Sequence, residues 1–549
     1  MVTDRKPQPA LVPARPARGL RGAVVSPHEL ASQAGLSILQ AGGNAVDAAI
    51  ATNAALAVVA GDKCGLGGDA FWLIWDGTAQ HGLNGSGRSA ATATIEAARA
   101  AGLSEMPLRG AWTVTVPGAI SSWSEAHGRF GRLPWPDLLA PAFDLAKGFP
   151  ATPGWVGSIE RGAVLYGGDG DWARTYRPSG RPWHVGQRVE LPALGRTLER
   201  LAAEGAQAAY QGPLAERAVS YLSSRGSLLS LADLRDHRSD WTEPVRAQYR
   251  GLTATSHPAN SCGPIALLLL RLLERFEPPP RDAFDAQGCH DPRWVHLGLE
   301  AARLAHAQRD TALTDPDWMA PGSVERLASD ELAAELAGRL DPERRSAIEP
   351  ASLRAGGGTA YMATADRWGG AVSLIESNYA GFGSGLVDPE TGVAYQNRGA
   401  FFRLDPGHPN ALAPGKRTLH TLTPGMLFRD GRPWIVHGSM GGEIQPQIFA
   451  QFVSGVVDGG VDIASQIAAP RWAADMPGHF EPPTRTVLEP RFAAGVAEGL
   501  TARGHEVEWA AAFDSGMGHE HAIELVGADG REGLAASSDP RSEGGAAIW

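Results

Sequence analysis

Three glycines, Gly356-Gly357-Gly358, lead straight into Thr359-Ala360-Tyr361-Met362-Ala363-Thr364-Ala365, and beyond Asp366–Gly370 the chain resumes as Ala371–Ser377. Two strand-like runs about a polar, glycine-containing turn predict an antiparallel hairpin. The pattern recurs twice. Met426-Leu427-Phe428 and Trp434-Ile435-Val436 flank Asp430-Gly431, and Ala522–Val526 and Leu534–Ser537 flank Ala528-Asp529-Gly530. The last third is therefore expected to build a substantial antiparallel sheet. Helix-like stretches at Ile448–Val457 and Phe492–Arg503 can cover it, which predicts an α+β layered sandwich.

Upstream, Ser26-Pro27 reads as a helix start, with Leu30, Ala34, Ile38 and Leu39 at helical spacing and Gly42-Gly43 as the stop. Asn44 with Asp47 predicts a capped second helix from Ala45 to about Val59. Phe71–Trp75 before Asp76-Gly77 predicts a strand entering a hairpin. Residues 130–340 read as mostly helical, including Leu191–Ala203, Ile265–Phe276 and, capped by Ser323, Val324–Leu340. Residues 1–20 begin the chain as a disordered tail rich in Pro and Arg, without the apolar segment of a secretory signal.

Composition excludes several function classes. A net charge of −11 argues against a nucleic-acid partner, which needs clustered Lys and Arg. Cys64, Cys262 and Cys289 are too few and too scattered for a disulfide framework, so a reducing, cytoplasmic location is expected. No membrane span is expected: Ala45–Ala60 carries Asp47, Thr52 and Asn53, and Ile265–Leu273 is short and broken by Arg271. No metal or cofactor is expected either. His519-Glu520-His521 is not a zinc-binding helix motif, and Cys289-His290 has no partner pair. Gly415-Lys416-Arg417 lacks the phosphate-loop spacing, Gly381–Gly385 is not at a strand-to-helix turn, and no G-x-S-x-G elbow occurs.

The chemistry-bearing candidate is the glycine run itself. Glycine reaches backbone angles closed to other residues, so a hydroxyl can approach the Gly358–Thr359 peptide. Attack by the Thr359 hydroxyl on the Gly358 carbonyl would give an ester and, after hydrolysis, a new N-terminal threonine. Its α-amine, with an ordinary pKa of about 7.7–8.0, can then act as general base. Gly438-Ser439-Met440-Gly441-Gly442, between a strand and a helix-like segment, offers backbone N–H groups to an oxyanion. Taken alone, that segment reads more simply as a tight structural turn.

Together these pieces resemble the γ-glutamyltransferase family of N-terminal-nucleophile hydrolases over about residues 20–549. The resemblance is carried by Ile38–Ala49, Gly65-Leu66-Gly67-Gly68, Val116-Pro117-Gly118, Leu191–Leu194, Tyr210-Gln211-Gly212 and Tyr249-Arg250-Gly251. Further on it rests on Phe382–Gly385, Pro406–Asn410, Lys416-Arg417, Gly438–Gly442 and Ser538–Arg541. It implies an αββα four-layer sandwich formed by two chains after self-cleavage between Gly358 and Thr359. The large subunit would be 21–358 and the small catalytic subunit 359–549, held together as a heterodimer. Thr359 is then the nucleophile, Ser377 the second hydroxyl beside it, and Gly441 and Gly442 the oxyanion-hole glycines.

The substrate positions depart from the family pattern. The slot of the arginine that holds a glutamate α-carboxylate is Ser86, with Arg88 two residues on. The slots that hold the α-amine are Tyr379 and Ala400, the latter within Gln396-Asn397-Arg398-Gly399-Ala400, and a serine pair becomes His420-Thr421. The lid after Pro406–Asn410 is cut short. Arg88, Tyr379, Asn397, Arg398, His420 and Thr421 are thus the substrate-binding candidates. The pattern resembles the branch containing cephalosporin (glutaryl) acylases and oxamate amidohydrolase. It implies hydrolysis of a small carboxylate-bearing acyl amide. The alternatives are a true γ-glutamyl transferase, acting on glutathione and γ-glutamyl amides, and an inactive binding homologue.

Overall fold

The structure, a computed structural model, describes residues 14–168, 170–348, 357–476, 485–527 and 530–549. Two seven-stranded antiparallel sheets dominate it. In the first, the order is Gly545–Ile548, Gly22–Ser26, Gly358–Asp366, Ala371–Tyr379, Asp69–Trp75, Gln80–Gly85, Asp240–Thr242. In the second it is Ala17–Gly19, Gly533–Ser537, His519–Val526, Arg432–Met440, Pro424–Arg429, Leu252–Ser256, Val245–Tyr249.

Side-chain alternation assigns the layers. Phe71, Leu73, Tyr361 and Ile375 of the first sheet pack against Met426, Val436, Ile523 and Ala536 of the second. The residues between them in sequence point outward: Trp72, Ile74, Met362 and Leu374 join the helices Ala45–Val59 and Trp135–Lys147. On the opposite side Leu427, Ile435 and Ala522 join Gly263–Glu274, Pro292–Ala312 and Gln445–Val457. The result is helix, sheet, sheet, helix. Strands covered on both faces need apolar residues on both, which is why Asp69–Trp75 reads as an unbroken run. Ala45–Val59 is buried at all of its positions, and Asn44 and Asp47 close the expected capping box.

The three C-terminal hairpins and the Phe71–Trp75 hairpin form as expected, the turn residues Ala528 and Asp529 lying outside the described residues. Three expectations are corrected. Ser26 ends a strand, and the first helix, Glu29–Gln40, is capped by His28, whose ring accepts from the Leu30 N–H. The helix expected over Val324–Leu340 is two, Ser323–Leu327 and Asp330–Ala337, because Ser329 captures the Leu332 N–H and restarts the chain. The helical middle also contains Asp240–Thr242, Val245–Tyr249 and Leu252–Ser256, which extend both sheets. Of the expected N-terminal tail, residues 1–13 lie outside the described residues, and Ala17–Gly19 is an edge strand on Gly533–Ser537. Among the described residues no helix is long and apolar enough to cross a membrane.

Candidate active site

Thr359 sits at the buried start of Gly358–Asp366, the third of the seven strands of the first sheet, 1% exposed. The ladder slips there: Gly358 faces Tyr379 and Thr359 faces Ser377, so Asn378 is an extra residue. Tyr379 takes a left-handed φ of 72°, an uncommon conformation for a bulky residue, at the far side of this bulge. The glycines before Thr359 are sterically required. A Cβ on Gly358 would stand 2.5 Å from the Asp62 carbonyl oxygen, and one on Gly357 3.0 Å from the Gly442 nitrogen. The candidate scissile peptide is therefore threaded between the Asp62 loop and the Gly441-Gly442 loop.

Ser377 Oγ lies 2.9 Å from Thr359 Oγ1 and donates to the Gly358 carbonyl oxygen at 2.7 Å. It accepts from the Tyr379 N–H at 2.8 Å and from Arg398 Nη2 at 3.2 Å. A hydroxyl has one proton and two lone pairs. With its lone pairs facing two donors, Ser377 has its proton available to polarise the Gly358 carbonyl beside the Thr359 hydroxyl.

Arg398 is buried behind this pair. Nη1 donates to Thr421 Oγ1 at 3.1 Å, and the guanidinium stacks on Tyr379 at 4.6 Å and Phe401 at 5.4 Å from the ring centroids. Its Nε is buried without a hydrogen-bond partner. Among the described residues no carboxylate lies within ion-pair distance of it. Burial lowers its pKa to about 10, so it remains charged at neutral pH.

Asp69, directly opposite Ser377 on the next strand, accepts from the Gly87 N–H at 3.1 Å and lies 3.3 Å from His420 Nε2. Burial pushes its pKa up to about 7, against the pull of Arg398. His420 is held well below the ordinary histidine value by burial and by Arg398. Ser86 donates to Asn84 Oδ1 at 2.7 Å and accepts from Asn260 at 3.2 Å. Ala400 is fully buried and puts no carboxylate at its position.

Gly441 and Gly442 follow the strand Arg432–Met440, and Gly442 has φ 56°. The next residue, Glu443, is anchored from the long helix Pro292–Ala312. Arg309 Nη1 donates to Glu443 Oε2 at 2.6 Å, and His306 Nε2 lies 2.9 Å from the Glu443 carbonyl oxygen. The glycine loop is thereby pinned both to the second sheet and to the outer helical layer.

Of the residues singled out by sequence, Thr359, Ser377, Tyr379, Arg398 and Thr421 form one connected cluster. His420 joins it through Asp69, and Gly441-Gly442 borders it at Gly357. Two are engaged elsewhere. Arg88 Nη2 pairs with Asp240 at 3.2 Å, a carboxylate shared with Arg417. Asn397 spends its side chain on the loops around it, accepting from the Ala380 N–H at 3.0 Å and donating to the Leu108 carbonyl at 2.6 Å. Sequence reasoning missed Asp69, Asn84, Asn260 and the Arg309–Glu443 pair. Asp69 had a signal, an acid closing the run Gly65-Leu66-Gly67-Gly68 at the start of an apolar strand; Arg309 had none.

A model of the γ-glutamyltranspeptidase family matches residues 31–549. The chain belongs to this family. Among its relatives, a glutathione hydrolase-like YwrD proenzyme of Bacillus subtilis is 38% identical over 96% of this chain and 98% of its own. An oxamate amidohydrolase proenzyme of Klebsiella pneumoniae is 38% identical over the same shares. The solved cephalosporin acylase of Bacillus halodurans superposes with a TM-score of 0.90 at 37% identity, over 100% of this chain and 99% of that one. A buried cation, Arg398, stands two residues before Ala400.

Proposed function

We propose that this chain is a self-processing amidohydrolase whose nucleophile is Thr359. The observation that carries the reading is the Ser377 hydroxyl, in contact with both the Thr359 hydroxyl and the Gly358 carbonyl. In the uncut chain Thr359 Oγ1 attacks the Gly358 carbonyl carbon, and negative charge develops on the oxygen that Ser377 polarises. The C–N bond breaks, the nitrogen takes a proton and becomes the α-amine of Thr359, and the glycyl group stays on Oγ1 as an ester. Water hydrolyses the ester, releasing the Gly358 carboxylate and dividing the chain into a large subunit ending at 358 and a small one, 359–549.

In turnover the new α-amine takes the Oγ1 proton as the oxygen attacks a substrate amide, then hands it to the leaving amine. Gly441 and Gly442 are the oxyanion donors for this step, and water completes hydrolysis of the acyl-threonine. Proenzyme names among the relatives support the first half, and their amide substrates the second. We assign the acyl group a free carboxylate, received by Arg398. A buried guanidinium with no carboxylate in ion-pair distance among the described residues is costly unless an anion meets it in the working state. An α-ammonium, by contrast, finds no acid at Ala400.

The reading is tested by Thr359→Ala. The wild type is expected to give two bands on a denaturing gel and the variant one full-length, inactive chain. Two bands from the variant would remove Thr359 from the role.

A further inference from the structure

Given Thr359 as the self-cleaving nucleophile, we infer that the helix Pro153–Tyr166 is a processing clamp. Its Ser158 and Tyr166 are positioning residues that hold the backbone packed against Gly358, the residue whose carbonyl is attacked. Among the described residues neither is hydrogen-bonded to Thr359 or Ser377.

Gly358 has a wall on the side where a side chain would stand. A Cβ there would lie 2.5 Å from the Asp62 carbonyl oxygen, 3.1 Å from the Gly381 nitrogen and 3.2 Å from the Gly381 Cα. The two wall segments are joined, since the Phe382 N–H donates to the Asp62 carbonyl oxygen at 3.0 Å. The helix grips both. Ser158 Oγ accepts from Arg161 Nη2 at 3.1 Å and donates to Asp62 Oδ2 at 2.7 Å. The Tyr166 hydroxyl accepts from Arg109 Nη1 and donates to the Gly381 carbonyl oxygen at 2.6 Å. In each case a guanidinium occupies a lone pair of the hydroxyl and leaves its proton for the wall. Burial pushes the Tyr166 pKa up to about 12, against the pull of Arg109, so the phenol keeps that proton at neutral pH. The two residues are a little over two turns apart on one helix, so a single rigid element sets both segments.

The Gly381 turn needs such a grip. Tyr379 and Phe382 have left-handed φ values of 72° and 56°. Bulky residues persist in that region only where their surroundings over-determine it. Arg109 Nη1 donates to the Gly381 and Gly383 carbonyl oxygens at 3.1 and 2.9 Å. The Phe382 ring lies 5.2 Å from Trp172 and 4.8 Å from Tyr176. With a clamping hydroxyl removed, the turn can relax away from Gly358, and the Gly358 carbonyl drifts from Thr359 Oγ1. A misplacement of about 1 Å costs such an attack about 100-fold. Once the chain is cut, no Gly358–Thr359 bond remains to be held. Tyr379, which borders Arg398, is fixed separately by its N–H to Ser377 and its ring against Phe401.

The test is a pulse-chase on the full-length chain made by cell-free synthesis, with the soluble fraction resolved on denaturing gels. Tyr166→Phe and Ser158→Ala each remove one hydroxyl and add no volume. Each is expected to lengthen the cleavage half-time at least about 10-fold. Val164→Ser, on the same helix at a position 87% exposed, should keep the wild-type half-time. Hydroxylamine, which cleaves esters, should not shorten the delay, because the attack itself is slowed. Placed in the uncut Thr359→Ala chain, each substitution should lower the melting midpoint by no more than about 4 °C, the share of one hydrogen bond. Half-times matching the wild type in either variant would overturn the two-point clamp, as would an equal delay in Val164→Ser. Restoration by hydroxylamine would move the delay to ester hydrolysis and overturn it too. A larger fall in midpoint would assign the hydroxyls to the fold. A wild type that never divides would remove the Thr359 reading itself, whereas a dividing wild type with undelayed variants removes the clamp alone.

Discussion

Asp69 is the residue whose ionisation bears most directly on this site. It faces Ser377 across one strand pairing and feels Arg398 as its strongest favourable charge, yet burial lifts its pKa to about 7. A carboxyl whose pKa is raised on folding stabilises the fold fully below its unfolded value near 3.9. That contribution is lost as pH climbs through the folded value. Asp69→Asn, neutral throughout, should therefore remove a fall in stability between about pH 4 and pH 8, worth on the order of a few kcal/mol. For turnover the sign follows from charge. Above about pH 7 an ionised Asp69 competes with the substrate carboxylate for Arg398, so KM should rise with pH in the wild type. In Asp69→Asn KM should stay flat, while kcat still rises with deprotonation of the α-amine at about 7.7–8.0. Matched KM profiles for the two proteins would count against Asp69 as the titrating group. Sequence marked Thr359 because glycine and hydroxyl chemistry are local. It left Asp69 unmarked because its importance comes from lying opposite Ser377, a partner about three hundred residues away in the chain.

At the scale of elements, the second candidate catalytic feature depends on a helix that contributes no atom to the chemistry. The strand Arg432–Met440 delivers Gly441 and Gly442, but the position of the loop is set by Glu443 and hence by Arg309 on Pro292–Ala312. Both partners are nearly fully buried, each side chain 2% exposed. Removing one partner of such a pair costs about 3–5 kcal/mol, while replacing both with neutral groups is often neutral. Arg309→Met alone should then lower both the melting midpoint and kcat. Arg309→Met combined with Glu443→Gln should recover much of the midpoint while kcat stays reduced by about 10-fold or more, with KM little changed, because the oxyanion donors have lost their anchor. Recovery of kcat in step with the midpoint would assign the pair to stability only. The hairpins were legible in advance because turn residues and apolar runs are contiguous. The strands between 240 and 256 were not: they are short, and their pairing partners, such as Pro424–Arg429, lie far along the chain. The two short helices at 323–337 were merged because apolar periodicity continues across Ser329, and only the cap shows the break.

For the whole molecule, the proposed point of cleavage matters less than how the segments on its two sides are woven. Gly22–Ser26, from the large part, is inserted between Gly358–Asp366 and Gly545–Ile548, both from the small part. Asp69–Trp75 pairs with Ala371–Tyr379, Leu252–Ser256 with Pro424–Arg429, and Ala17–Gly19 with Gly533–Ser537. Each sheet, and the apolar layer between the sheets, draws on both parts. A layered α+β sandwich was expected from the hairpins and the helix-like stretches, and its four-layer form from the family resemblance. This interleaving was not legible, because strand order depends on which edges meet after collapse. It has a thermodynamic consequence. Separating the two proposed subunits would expose the inter-sheet core and every ladder named above, so the cut protein should migrate at the same native size as the uncut Thr359→Ala chain. Its unfolding, however, produces two molecules instead of one, so mass action should make its melting midpoint rise with protein concentration. The midpoint of Thr359→Ala, still a single chain, should be independent of concentration over the same range. Calorimetry of both proteins across a hundredfold dilution series, under conditions where unfolding is reversible, reads this directly. A concentration-independent midpoint for the wild type would mean that the chain was never divided.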